Sequence, residues 1–181
     1  MLKEIRIHGR GGQGSVTAAE VLAKAAYRDG TLSQAFPAFG SERMGAPVQA
    51  FVRLSDKAIR TRAVIEEPDY LIIQDTTLFE QVDVFSGIKQ GGLALVNTEK
   101  PDEVDVPDGV VLKPVAGTRI AMDVIGRPIA NMVMVGAFAG MTGLVSLESI
   151  QEAVKERFGG KVGALNAEAV EKAYNALKQG K

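Results

Sequence analysis

Along the chain, short apolar runs alternate with longer stretches in which apolar residues return every three or four positions. Residues 5–9 set Ile5 and Ile7 between polar neighbours and predict a short strand ending at Gly9. Residues 16–27 carry Val21, Leu22, Ala25 and Ala26 at helical spacing and predict a helix closed by Asp29-Gly30. Further strands are expected at 32–36 and at 48–54, "VQAFVRL", with the Pro- and Gly-rich stretch "PAFGSERMGAP" as the loop between them. Ser55-Asp56-Lys57 predicts a turn into another short extended piece. "DYLIIQD" predicts a buried strand ending in an acid, followed by a helix over 77–85. Strands at 92–96 and 110–115 follow, joined by the polar, solvated connection "KPDEVDVPDG", and then a short helix at 119–125.

Pro128 is placed to open the next helix, whose segment "IANMVMVGAFAGM" is apolar or small nearly all round and is therefore expected deep against the sheet. Amphipathic helices at 147–158 and 167–177 complete the chain. Ser146 and Asn166 are their capping candidates, and Gly159-Gly160 and Gly180 their stops. Strands alternating with helices predict an α/β fold: a doubly wound, mostly parallel sheet flanked by helices, Rossmann-like, with two C-terminal amphipathic helices. No repeat, low-complexity tract or boundary divides residues 1–181, so one domain is expected.

The loop between the first strand and the first helix carries candidate chemistry. Gly9, Gly11 and Gly14 fit G-x-G-x-x-G, a pattern with meaning only in this strand-to-helix setting. There the glycines permit a tight turn and close approach, and unpaired amides at the helix start attract an anion such as phosphate or carboxylate. Arg10 would add a mobile positive charge, and Gln13 and Ser15 neutral donors. A nicotinamide site needs an acid at the end of the second strand, but that place reads "LSQAFPAFG", and Glu42 comes late beside Arg43. The phosphate lysine of a P-loop is missing too, Ser15 standing after Gly14. "GSERMGAP" is a second Gly-flanked loop with a charged centre, and both loops are expected at the carboxyl edge of the sheet.

Composition narrows the classes. With 181 residues, 46% hydrophobic, the chain can bury one core without disulfides. A net charge of -1 argues against nucleic-acid binding. The absence of cysteine excludes a thiolate nucleophile, a Cys-type zinc site and a cysteine-held iron–sulfur cluster in this chain. Lys3, Glu4 and Arg6 break any N-terminal signal region, and no apolar run reaches the roughly 20 residues of a membrane helix, so a soluble, cytoplasmic protein is expected. His8, the only histidine, reads as structural. Asp75 reads as a cap for the following segment, with the cleft as its alternative place. Asn131, alone among apolar neighbours, needs buried partners and reads as a tie to a nearby loop. Met132, Met134 and Met141 read as core filler.

Several of these stretches together resemble a known family. "GRGGQG" after a short N-terminal strand, "FGSERMG" before "VQAFVRL", "PDYLIIQD", "GGLALVNT" and "NMVMVGAFAG" are similar, in order and over nearly the whole chain, to the gamma subunit of the pyruvate and 2-oxoisovalerate ferredoxin oxidoreductases. The resemblance implies a subunit of an enzyme that decarboxylates a 2-oxoacid, passes electrons to ferredoxin and releases an acyl-coenzyme A. It implies alpha, beta and delta subunits as partners, thiamine diphosphate on alpha and beta, iron–sulfur clusters on beta and delta, and no cofactor on this chain alone. Coenzyme A is the implied ligand, with the family's loops falling on Gly9, Arg10, Gly11, Gly12, Gln13 and Gly14 and on Gly40, Ser41, Glu42, Arg43, Met44 and Gly45. Some relatives end the second loop in Arg-Gly-Gly, where this chain reads Arg43-Met44-Gly45-Ala46.

Three readings stay open on the residues: a non-catalytic subunit that positions coenzyme A through Gly9 to Ser15 and Gly40 to Arg43, a docking module without a small ligand, and a nicotinamide-dependent dehydrogenase. The first is preferred. No nucleic acid or membrane partner is expected, and a copy stripped of its partners would expose apolar interface open to homodimerisation.

Overall fold

The computed structural model describes residues 1–38 and 43–178. Six strands, β1 (Leu2–Arg10), β2 (Leu32–Pro37), β3 (Pro47–Ser55), β4 (Tyr70–Ile73), β5 (Leu93–Asn97) and β6 (Val111–Val115), form one sheet in the order β2-β3-β1-β4-β5-β6. β1, β4, β5 and β6 pair in parallel, whereas β3 runs antiparallel to both β1 and β2. Five helices accompany them: α1 (Ser15–Arg28), α2 (Gly117–Val124), α3 (Asn131–Thr142), α4 (Leu147–Phe158) and α5 (Gly160–Leu177). The α/β class and the mostly parallel sheet are as the alternation predicts.

Side chains leave alternate faces of a strand, and the two faces here are covered differently. Ile5, Ile7, Val52, Leu54, Ile72 and Leu95 point into one large cluster to which all five helices contribute. The opposite face, with Leu71, Ile73, Ala94 and Val96, is covered by irregular chain carrying Leu78 and Val84. The helix expected over 77–85 is instead a 3-10 turn, Thr76–Glu80, followed by open turns. Leu78 and Val84 must both reach the same cluster, yet six positions on an α-helix place them about 120° apart. The extended piece expected after Lys57 forms no strand either. Its carbonyls serve side chains: Arg53 Nη2 donates to Ala63 O at 2.7 Å and Arg6 Nη1 to Ile65 O at 3.3 Å.

On this second face Arg6 is 6% exposed and His8 1% exposed. The Arg6 guanidinium donates to the carbonyls of Val84 and Ser86 at 3.1 and 2.5 Å, and its Nε to His8 Nε2 at 2.9 Å. The accepting ring nitrogen must be unprotonated, so His8 is neutral. Burial, reinforced by the neighbouring Arg6 charge, pulls its pKa down to about 3. The structural reading of His8 holds.

α3 is buried along eleven consecutive residues, Asn131 to Met141, and lies between the sheet, α1 and α5. Gly136 and Gly140 make the close crossing with α5 possible, because a Cβ at either would collide with the backbone of Val170 or Tyr174. Pro128 does not open this helix: its first intrahelical bond runs from Met134 N to Ala130 O, leaving Pro128 in the preceding loop. Ser146 caps α4, accepting from Ser149 N at 3.2 Å. Asn166 is not a cap. α5 starts six residues earlier, at Gly160, and the buried Asn166 side chain donates to Val162 O within it. Gly180 lies outside the described residues.

Two outcomes are expected. Gly136→Ala should lose about 1–3 kcal/mol of stability through overpacking, read by urea denaturation, and an unchanged midpoint would show that α5 can shift freely. Between pH 6.5 and about 3 the unfolded chain takes up a proton at His8 that the folded chain refuses. Stability should therefore fall by about 1.4 kcal/mol per pH unit on acidification through that window, and His8→Gln should flatten the slope.

Candidate functional site

In a parallel sheet, ligands collect outside the carboxyl ends of the strands where the chain's path reverses. Here that point lies between β1, whose successors β2 and β3 lie toward one edge, and β4, which leads to the other. The glycine loop leaves β1 at this point. Gly12, with φ 92°, and Gly14, with φ 73°, occupy backbone that side chains rarely adopt, and Gly14 is the N-cap of α1.

The two loops meet. Gly11 N donates to Ala46 O at 2.8 Å, Gly45 N donates to Gly11 O at 3.0 Å, and a Cβ on Gly11 would strike the backbone of Arg43. Gly9 faces inward, against Ser15 Oγ and Gln74 Oε1, and Ser15 itself is 3% exposed, its hydroxyl donating to Gln74 Oε1 at 2.5 Å. Gln13 ties the loop twice: its Oε1 accepts from Arg10 N at 2.7 Å and its Nε2 donates to Asp75 at 2.8 Å. Arg43 is exposed. Gly40, Ser41 and Glu42 lie outside the described residues.

Arg10 is anchored rather than mobile. Its guanidinium donates to Gly45 O and Gln81 Oε1, both at 2.9 Å, and to Thr77 Oγ1 at 2.8 and 3.0 Å, and it lies 3.5 Å from Asp75. It thus clamps the second loop to the end of β4. Asp75 fills both places foreseen for it. Oδ1 caps the 3-10 turn, accepting from Thr77 N at 2.9 Å, and the residue borders the crevice. Partial burial pushes its pKa up, but the bonds from Thr77 and Gln13 and the charge of Arg10 outweigh that and hold it below the usual carboxylate value.

Beside these loops opens a crevice of about 340 Å³, within the range of ligand sites. One wall is Gly12, Gln13 and Asp75; the other is Asn97, Thr118 and the 128–131 turn, with Gln74 and Thr76 between. A second hollow of about 580 Å³ continues outward, sharing Thr76, Asn97 and Thr118 with the first. Its cations are paired, Arg119 with Glu99 and Lys100 with Glu103 at 3.0 Å. Asn97 knits β5 to α2, donating to Gln74 O at 3.0 Å and accepting from Thr118 N at 3.1 Å. Asn131 is the loop tie that its isolation among apolar residues foretold: its Nδ2 donates to Gly14 O at 3.3 Å.

Sequence reasoning missed Gln74, Thr76, Asn97 and Thr118. The signal was present, since each ends or closely follows a buried strand, in "LIIQDT", "ALVN" and "PVAGT". No group of three or more His, Cys, Asp or Glu side chains suited to a metal occurs among the described residues. No helix of the described residues is long and apolar enough to cross a membrane.

Comparison with known proteins gives a consistent picture. Residues 4–176 match the family model described as pyruvate ferredoxin/flavodoxin oxidoreductase. The chain is 55% identical over 174 residues to pyruvate synthase subunit PorC of Methanocaldococcus jannaschii, covering 96% of each chain. It is similar to the crystal structure of pyruvate oxidoreductase subunit PORC of Thermotoga maritima, with TM-score 0.83, 37% identity and 96% of each chain covered. It is also similar to part of the 2-oxoglutarate:ferredoxin oxidoreductase of Magnetococcus marinus, a structure with 2-oxoglutarate, coenzyme A and succinyl-CoA bound. That likeness has TM-score 0.83 and 26% identity and covers 98% of this chain and 31% of the other.

The clamp has a measurable consequence. Arg10→Met keeps the aliphatic stem but should lose about 1–3 kcal/mol of stability and speed hydrogen exchange at the Gly11 and Gly45 amides. Unchanged exchange would show that the backbone bonds alone hold the loops together.

Proposed function

The chain belongs to the pyruvate ferredoxin/flavodoxin oxidoreductase family as a gamma-type subunit, and from that premise we propose that it positions coenzyme A for acyl transfer. The reaction is 2-oxoacid plus coenzyme A plus oxidised ferredoxin, giving acyl-coenzyme A, carbon dioxide and reduced ferredoxin. Alpha, beta and delta subunits are its partners. Thiamine diphosphate and iron–sulfur clusters on those partners supply decarboxylation and electron transfer. This chain has no cysteine, so its own residues do not fit a cysteine-ligated cluster.

The observation that carries the reading is the crevice at the switch point, bounded by the glycine loop. The loop around Gly9 to Ser15 lets a ligand approach the backbone closely, and the start of α1, capped by no side chain, favours negative charge there. Arg10 acts by fixing the second loop, to which Arg43 and, from sequence, Gly40, Ser41 and Glu42 belong. Holding coenzyme A in one orientation converts an encounter into an intramolecular step, a contribution that reaches several kcal/mol in well-aligned systems. The Magnetococcus marinus enzyme, with coenzyme A bound, supports this ligand.

A second role, docking onto a partner subunit through the same loops, is favoured by Met44, which is 87% exposed at the tip where the loops meet.

Reconstitution of the complex from separately purified subunits tests the proposal. Leaving out this chain should lower acyl-coenzyme A formation at least tenfold, and Arg10→Ala in the full complex should raise the KM for coenzyme A. Acyl-coenzyme A formation at the full rate without the chain would refute it.

A further inference from the structure

β2 is an open edge of the sheet. It pairs only with β3, and no other described segment bonds to its outer side. Ala38 N donates to Gln49 O, and because bonded pairs alternate along an antiparallel ladder, the main-chain groups of Phe36, Gln34 and Leu32 also turn toward β3. Those of Ser33 and Ala35 therefore point outward. Pro37, at the next outward position, has no amide to offer.

Beside this edge runs a segment with equally few commitments. From Ala58 to Val64 the chain forms no strand, and its main chain makes two hydrogen bonds among the described residues, Ala63 N to Thr61 Oγ1 and Arg53 Nη2 to Ala63 O. Ala58, Ile59 and Arg62 line a hollow of about 320 Å³ together with Leu32, Ser33 and Gln34.

The surface around this hollow is apolar and positive. Register sets Leu2, Ser55 and Leu32 side by side on the face that carries Arg6, at the amino ends of β1 and β2 and so away from the crevice. Leu2 is 50% exposed, Leu32 41% and Val64 46%, a grouping that marks an interaction surface. Lys57, Arg60 and Arg62 are exposed and form no ion pair among the described residues. Residues 57–65 contain no acid, and Asp56 is taken by the N-terminal amine at 2.5 Å.

We propose that this edge is a docking surface for an extended, acidic segment of another subunit of the complex, which adds to the sheet alongside β2. An extended chain supplies donors and acceptors with the same spacing as the outward groups of Ser33 and Ala35. Its acidic side chains answer Lys57, Arg60 and Arg62, and its apolar ones cover Leu32 and Ile59. A nucleic acid would answer the cations but leave the row of main-chain groups unpaired. The proposal rests on membership of a multi-subunit family and is independent of the coenzyme A reading.

The test titrates this chain into the complex assembled without it and reads binding by sedimentation. Wild-type affinity should fall about tenfold between about 50 and about 300 mM salt. The double variant Arg60→Glu, Arg62→Glu, at exposed positions, should raise the Kd at least tenfold and flatten that salt dependence. Ala35→Pro removes an outward amide and leaves the ladder to β3 intact, so it should raise the Kd about tenfold with the salt dependence kept. Thermal unfolding checks that this variant folds, and the arginine variant keeps the test open if it does not. Unchanged affinity of the arginine variant would overturn the acidic occupant, and unchanged affinity of folded Ala35→Pro would overturn strand addition. Self-association of the isolated wild-type chain that both variants abolish would give the edge to a second copy and likewise overturn the proposal. At saturating concentration either variant should restore the wild-type KM for coenzyme A within about twofold; a KM that stays raised would place these residues in the ligand site instead.

Discussion

A helix with no polar side has to be enclosed, and in this protein that requirement belongs to α3. Its residues from Asn131 to Met141 are all buried, so the sheet, α1 and α5 must surround it. Gly136 and Gly140 let the backbone of α5 come close enough to close the gap. The enclosure also brings Asn131 at the start of α3 to the glycine loop, where it donates to Gly14 O. Hydrophobic burial thus decides where the far wall of the crevice stands.

The other wall is polar and is held by hydrogen bonds. Arg10 joins the second loop to the end of β4, and Asp75 receives Gln13 and Thr77 and compensates the Arg10 charge. Arginine suits this task because its fork of donors reaches several acceptors at once. Loops tied this way are ordered without any ligand, so little ordering entropy would oppose a ligand entering the crevice. Buried Arg6 does related work on the opposite face, where irregular chain supplies carbonyls that a helix would have kept for itself.

The two faces of the sheet therefore carry different burdens. The helical face holds most of the apolar core, and the other is stitched by arginine-to-carbonyl bonds around a smaller cluster. The loops on this second side run up to the crevice, since Thr76 and Thr77 continue directly from β4. Residues that look like mere connection in sequence thereby border the site.

Much was determined by sequence alone. Alternation in "EIRIHG" and "VQAFVRL", helical spacing in 16–27 and the all-round apolarity of 131–141 are local properties of the chain, and they dictated strands, helix and burial wherever no competing contact intervened. The glycine loop was equally legible, because positive φ at Gly12 and Gly14 is a backbone demand that residue type reveals. Tertiary structure decided what depends on partners distant in sequence. The 77–85 segment gave up a helix so that Leu78 and Val84 could share one apolar cluster, and Asn166 lost its capping role when α5 extended back to Gly160. Arg10 lost its mobility to acceptors 35 to 71 positions away, and Gln74, Asn97 and Thr118 became neighbours only when parallel pairing aligned their strand ends. Periodicity records which face a residue turns inward; it holds no record of which remote group will accept its proton.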